Sequence, residues 1–379
     1  MNIQNDIVVV GGGIGGAATT LALHKNGFKV RVYERVQEIR QVGAGLALWP
    51  NATHVLRELG LLKPACRVSQ VLTNYRFYSS TGTLLVDVPL ETGELPTLGM
   101  HRADLHRLLW EPIPAAQKFL NAELIDFETS PGRVRATFTN RPVVIARALI
   151  GADGLRSRVR QKLLGDGNPI YRGFTTWRGL LTDSNLALGS PKHICEFLGP
   201  GGGFGYLSLG QGRLYWYAAA VRRQEAAPDL VEIAQLLNLY RQYDPRVGRI
   251  IEATEPKDIL QTNLYDHLVE RFWSEGNVTL LGDAAHPMLP TLGQGACTAL
   301  EDALTVTKCL SLHENPGVAF DHYQQARFAR IKNIAEHSRR SAKLGSLTNP
   351  SLVRLRHRMM QLLAAPISRS LTRLHAYRA

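Results

Sequence analysis

Four cysteines are all that this chain of 379 residues carries, and Cys66, Cys195, Cys297 and Cys309 stand too far apart for a close-paired metal-ligand spacing. The scarcity implies neither a metal site nor a disulfide framework, and it suits the reducing cytoplasm. No apolar run reaches the length of a membrane span. The first residues lack the charged lead and cleavage site of a secretory signal, because an apolar strand already starts at Ile7. Aromatic residues make up 7%, and none form a stacking platform among the arginines, which speaks against nucleic-acid binding. Internal repeats and low-complexity tracts are missing too. What remains, 45% hydrophobic and 20% charged residues, is a folded globular composition, at a length that suits two cores.

Acidic residues are scarce in one place. From His322 onward twelve lysines and arginines stand against the single acid Glu336, so this tail carries +11 of a net charge of +12. Within it Leu352, Leu355, Met359, Leu362 and Leu363 recur at helical spacing, with Arg354, Arg356 and Arg358 among them and a break expected at Pro366. A basic amphipathic helix of this kind can lie weakly on an anionic membrane surface. It can equally pack on the body of the protein with a solvated basic face, and that second reading is preferred.

Glycine, by contrast, is plentiful and well placed. The β-branched run Ile7 to Val10 leads into Gly11-Gly12-Gly13-Ile14-Gly15-Gly16, in which positions 11, 13 and 16 fit G-x-G-x-x-G. The first glycine permits a tight turn, the second lets a pyrophosphate approach the backbone, and the third lets a helix pack closely on its strand. A helix over 17–25, a stop at Asn26-Gly27 and a second strand over 28–33 then deliver Glu34, an acid placed to accept hydrogen bonds from a ribose diol.

A second glycine loop lies far downstream. After the apolar run 278–281 come Gly282-Asp283-Ala284-Ala285-His286-Pro287-Met288-Leu289-Pro290-Thr291-Leu292-Gly293-Gln294-Gly295-Ala296 and the apolar-periodic residues that follow, so strand, acidic turn, glycine loop and helix form one unit. Nicotinamide binding alone does not require this second loop. Taken singly, Asp153-Gly154 reads as a surface turn, Arg102 as a solvated charge and His286 as a structural histidine. His286 keeps that structural reading.

Together these motifs, with Val42-Gly43-Ala44-Gly45-Leu46, Trp49-Pro50-Asn51, His101-Arg102-Ala103-Asp104-Leu105 and Gly151-Ala152-Asp153-Gly154 followed by Ser157, Val159 and Arg160, resemble the FAD-dependent aromatic monooxygenases of the para-hydroxybenzoate hydroxylase fold. The match spans residues 7 to about 305 in family order. It implies that Glu34 holds the adenosine ribose, that Arg35 and Arg102 lie along adenine and pyrophosphate, and that Asp283 binds the ribityl chain. It further implies that Ala44 and Gly45 border the flavin ring, and that Asp153 and Gly154 sit where the FAD and nicotinamide paths meet. Pro290, Gly293, Gly295 and Ala296 would offer amides at a helix N-terminus to the pyrimidine edge, where reduced flavin is anionic.

The implied fold is α/β: a Rossmann-like FAD-binding domain from residues 1–70, 100–165 and 265–325, an interleaved β-sheet substrate domain from 71–99 and 166–264, and a basic helical segment over 326–379. The middle of the chain agrees, since apolar runs at 194–198, 204–209 and 214–221 are separated by glycine turns. Tyr215 and Tyr217, two apart on one strand, share a face and offer apolar walls with a hydroxyl for a substrate pocket, while Trp216 points the other way. Arg178 after Trp177, Arg213 and Met288 are further candidates.

The implied chemistry is an NADH- or NADPH-consuming monooxygenation, in which dioxygen gives a flavin C4a-hydroperoxide and one oxygen passes to an aromatic or hydrophobic small molecule. The urate branch carries an arginine and an aspartate where this chain has Gly203 and Thr291, so only Tyr215 matches it. Trp177-Arg178 and the basic, leucine-containing tail look more like the alkylquinolone-type hydroxylases. An FAD-dependent reductase that never activates oxygen, and an FAD-binding regulator without turnover, are the alternatives. Assembly is left open between monomer and homodimer.

Overall fold

A computed structural model describes residues 6–38, 44–90, 92–182, 186, 188–222 and 232–379. The run Ile7–Val10 is buried on both faces and pairs in parallel with Val30–Tyr33 on one side and Ala148–Gly151 on the other. Parallel neighbours need a crossover, and the helix Ile14–Lys25 supplies the first. Lys118–Phe119 joins Val30–Tyr33, Val278–Leu280 joins Ala148–Gly151, and Ser274–Glu275 completes a six-stranded sheet. The helix begins three residues earlier than the apolar pattern suggests, directly on the glycine turn.

A second, seven-stranded sheet runs in the order Ile259–Asp266, Ile170–Leu181, Arg213–Val221, Gly202–Gly210, His193–Gly199, Asn74–Ser79 and Leu84–Pro89. It is antiparallel except where His193–Gly199 lies parallel to Asn74–Ser79. A three-stranded sheet of Gly45–Leu48, Thr97–His101 and Gln70–Leu72 links the two large sheets. Its Gly99 approaches Gly202–Gly210 so closely that a Cβ there would lie 2.1 Å from the carbonyl oxygen of Ser208. A fourth sheet, of Leu124–Ser130, Arg133–Phe138 and Val144–Ala146, is antiparallel throughout.

Helix Gly295–Leu312 packs on Ile14–Lys25, and the long helix Pro316–Gly345 packs on Gly295–Leu312. Pro350–Leu362 and Ala364–His375 then return against the strand Leu84–Pro89. The break in the tail falls at Leu363 and not at Pro366, which sits in the first turn of the last helix, where a missing N–H costs nothing. Among the described residues no helix is long and apolar enough to cross a membrane.

Candidate active site

A single cavity of about 1550 Å³ is walled by the first glycine turn, the second glycine loop, the seven-stranded sheet and the C-terminal helices. Its first end is built from backbone. Gly11 adopts φ +99°, which favours glycine, and a Cβ on Gly16 would lie 1.9 Å from the carbonyl oxygen of Gly11. Around Gly13 nothing lies within 4 Å of such a Cβ, so the middle glycine faces open space. Helix Ile14–Lys25 has no side-chain cap and no acid in its first turn, which leaves its leading amides available to an anion.

A second N-terminus without a side-chain cap, that of Gly295–Leu312, opens onto the same cavity beside Gly293, Gly295 and Ala296. Asp283 and Arg102 also line the cavity. Asp283 lies deep in the molecule, yet its accessible surface opens into the cavity, and burial raises its carboxyl above the ordinary range. Its carboxylate receives no hydrogen bond from the described residues, so its acceptor capacity is free for a ligand hydroxyl. Two anion-favouring helix ends, a glycine cradle and an unpartnered carboxylate open to the cavity fit a flavin dinucleotide.

The expected cofactor residues fall into two sets. Gly13, Ile14, Gly15, Ala44, Gly45, Arg102, Asp283, Pro290, Gly293, Gly295 and Ala296 all line the cavity, whereas Gly11 and Gly16 shape the turn behind it. Glu34, Arg35 and Asp153 do not line it. Glu34 accepts from the backbone N–H of Gly12 at 2.6 Å and of Val36 at 3.1 Å, and Arg35 is exposed. Asp153 turns its carboxylate onto the helix Arg158–Leu164, accepting from Ser157 Oγ at 2.5 Å and the Arg158 amide at 2.8 Å, while its neighbours Ala152 and Gly154 face the cavity. Val42 and Gly43 lie outside the described residues.

Behind the second loop stands a buried ionic network. Asp302 accepts from His286 Nε2 and Arg327 Nε, each at 2.7 Å, and from the Gly282 amide at 3.0 Å. Burial alone would raise this carboxyl, but His286 and Arg327 outweigh it and hold it at about 2. Glu301 pairs with Arg327 and Arg330, both at 2.6 Å, and accepts from Asn51 Nδ2. Arg160 adds a clamp from the other side through the carbonyl oxygens of Ala284 at 3.1 Å and Ala285 at 2.7 Å. His286 is thus buried and held by a carboxylate, in line with a structural role.

The sheet end of the cavity is where the tyrosines sit. Tyr215 and Tyr217 line it together, their ring centroids 6.0 Å apart, while Trp216 points into the opposite core and donates to Thr254. Gly45 makes room for Tyr215, because a Cβ there would meet its ring at 2.5 Å. Burial pushes the Tyr215 hydroxyl up to about 12. Arg178 and Met288 line the cavity as well, whereas Arg213 is spent on Asp104 at 2.7 Å.

Glu196, which sequence reasoning passed over, is the group that gives this end its polarity. Its Oε2 accepts a short hydrogen bond from the Tyr75 hydroxyl and one of 3.4 Å from Tyr217, and burial raises its carboxyl. Both bonds use Oε2, which leaves Oε1 for a donor in the cavity. A single acid inside the apolar run Ile194-Cys195-Glu196-Phe197-Leu198 was the available signal.

Residues 4–338 match the FAD binding domain family. The chain belongs to that family. Over 363 residues it is 30% identical to the aurachin C monooxygenase/isomerase of Stigmatella aurantiaca, covering 95% of this chain and 94% of the relative. It is also 30% identical to the 2-heptyl-3-hydroxy-4(1H)-quinolone synthase of Pseudomonas aeruginosa, with 94% of each chain covered. Relatives named as hydroxybenzoate hydroxylases are equally similar. Among solved structures, HpxO of Klebsiella pneumoniae with FAD and uric acid superposes with a TM-score of 0.90 at 24% identity, covering 98% of this chain and 96% of that one, which supports the fold. As a member of the FAD binding domain family the chain is an FAD-dependent monooxygenase that uses NAD(P)H.

Proposed function

We propose that the substrate is an electron-rich, hydrophobic ring compound of the alkylquinolone type, bearing an N–H or O–H that binds Glu196. The observation that carries the reading is a buried carboxylate with a free oxygen in a cavity whose other walls are mostly aromatic and aliphatic, including Phe77, Ile194, Leu207 and Tyr215. An apolar wall carrying this acceptor orients such a ring, and the charge of Arg356 also reaches Glu196. The similarity to enzymes named for aurachin C and a heptylquinolone supports the same substrate class.

In this reading Glu34 accepts from the adenosine ribose while keeping its Gly12 bond, since a carboxylate has capacity for both. Gly11 to Gly16 and the first helix end hold the pyrophosphate, with Arg102 beside it and Arg35 toward the adenine; Asp283 accepts from the ribityl hydroxyls. Ala44 and Gly45 border the ring, Pro290 to Ala296 face its anionic edge, and Asp153 orders the turn that presents Gly154 to the cavity. Bound FAD supplies electron transfer from NAD(P)H and oxygen activation. Glu196 takes the proton of the substrate N–H or O–H, which leaves the ring a better nucleophile, and Tyr75 and Tyr217 hold the carboxylate in place. The four free thiols suit a cytoplasmic location.

Oxygen consumption and product analysis with alkylquinolones, hydroxybenzoates and urate test the substrate class. Coupled oxygenation of an alkylquinolone at the highest kcat/KM is expected. A hydroxybenzoate or urate turned over more efficiently would sink it.

A further inference from the structure

Helix Pro350–Leu362 and the residue after it turn the wrong side outward for a packed tail. Leu352, Leu355, Met359 and Leu362 are 47%, 55%, 44% and 77% exposed, and Leu363 is exposed beside them. At 100° per residue these five positions occupy one arc of about 100°. The side next to one edge of that arc is buried through Val353 and Arg356, and Met360 and Arg356 line the cavity. Beyond the other edge of the stripe Arg358 and, further round, Arg354 are exposed, as are Lys343, Arg369 and Arg373 nearby in the chain. From residue 337 to the end there is no acidic side chain.

We infer that this face docks on a bilayer surface containing anionic phospholipid, with the leucines entering the headgroup boundary and the arginines meeting lipid phosphates. Charge selects this occupant over a second copy of the chain. A symmetric dimer through the stripe would bring two strongly basic tails into contact, and like charges oppose that. The same helix reaches the cavity with its inner side, so docking places the cavity wall next to the phase where a hydrophobic substrate concentrates. That last consequence rests on the proposed substrate class. The docking itself does not.

Co-sedimentation of the full-length, FAD-loaded enzyme with vesicles tests the inference without any substrate. Binding to vesicles of phosphatidylcholine with phosphatidylglycerol is expected, with little binding to phosphatidylcholine alone and a decline as salt rises. The double variant Leu355→Asp/Leu362→Asp should abolish binding, and Arg354→Glu/Arg358→Glu should weaken it by at least about tenfold. Both variants alter exposed residues outside the cavity, so FAD content and NAD(P)H oxidation in solution should stay unchanged. An enzyme that remains in the supernatant with both vesicle types, or variants that bind as well as the parent, would overturn the inference. A dimer that Leu355→Asp/Leu362→Asp splits into monomers would assign the stripe to a second copy and overturn it equally.

Discussion

A carboxylate alone in the apolar run Ile194-Cys195-Glu196-Phe197-Leu198 must find its partners across the sheet, and Glu196 finds them in Tyr75 and Tyr217. Because burial raises this carboxyl, it ionises at a higher pH than an ordinary glutamate and is the better proton acceptor for it. The sign of the pH dependence follows. Turnover that needs the ionised form is low below the raised pKa and rises as pH climbs through it, so kcat/KM should show an acidic limb displaced above the usual carboxylate range. Glu196→Gln keeps the shape, removes the proton acceptor and should cost about 100-fold in kcat/KM while erasing that limb. FAD content should not change. If Glu196→Gln keeps the parental limb, the titrating group lies elsewhere. Legibility divides along the same line. Gly11, Gly13 and Gly16 form a local motif, and the close approach of Gly16 to Gly11 can be read from spacing alone. The contact between Tyr75 and Glu196 crosses 121 positions through a parallel strand pair, and no local pattern encodes it.

Elements show where periodicity helps and where it misleads. The largely apolar run 143–150 divides at Arg147 into Val144–Ala146 and Ala148–Gly151, which belong to different sheets. Burial alternates along the first and is continuous along the second, because a strand covered on one face gives way to a parallel strand covered on both. The tail pattern is legible as a helix, yet its apolar stripe does not mark the buried side. Tertiary packing instead buries Val353 and Arg356, the latter donating to the carbonyl oxygens of Leu344 and Gly199. Between elements, Arg327 ties the helix Pro316–Gly345 to both Glu301 and Asp302 on Gly295–Leu312, with all three side chains removed from solvent. Arg327→Ala strands two carboxylates without that cation, and removing one partner of a buried pair costs about 3–5 kcal/mol. The denaturant midpoint should fall accordingly. Since Asp302 also holds the Gly282 amide, the variant should release FAD on dilution more readily than the parent. An unchanged midpoint would mean that Glu301 and Asp302 are satisfied without Arg327.

For the whole molecule, the closing of the cavity by its own C-terminal helices is what converts a cofactor cradle into a reaction chamber. Trp49, on the short link ahead of helix Pro50–Glu58, stacks on His375 with centroids 4.0 Å apart. Arg330 lies 4.0 Å over the ring of Tyr377 and donates to the carbonyl oxygen of Leu374 at 3.1 Å. The last helix thus rests on groups that also wall the cofactor end, and Ile367, Leu371 and Leu374 complete the apolar lining. Enclosure of this kind limits the solvent access that would assist loss of the activated oxygen as hydrogen peroxide. Deleting residues 364–379 should open the chamber and raise the share of NAD(P)H-derived electrons that end in hydrogen peroxide. The milder double variant His375→Ala/Tyr377→Ala loosens the same wall without removing the helix, and it should move in the same direction by a smaller amount. Peroxide formed per NAD(P)H consumed, measured with saturating substrate, reads the effect directly, and FAD content checks that the cradle survives. Peroxide yields equal to the parent in both variants would show that the sheet and the two glycine loops exclude water by themselves, and that the tail serves the surface it presents outward.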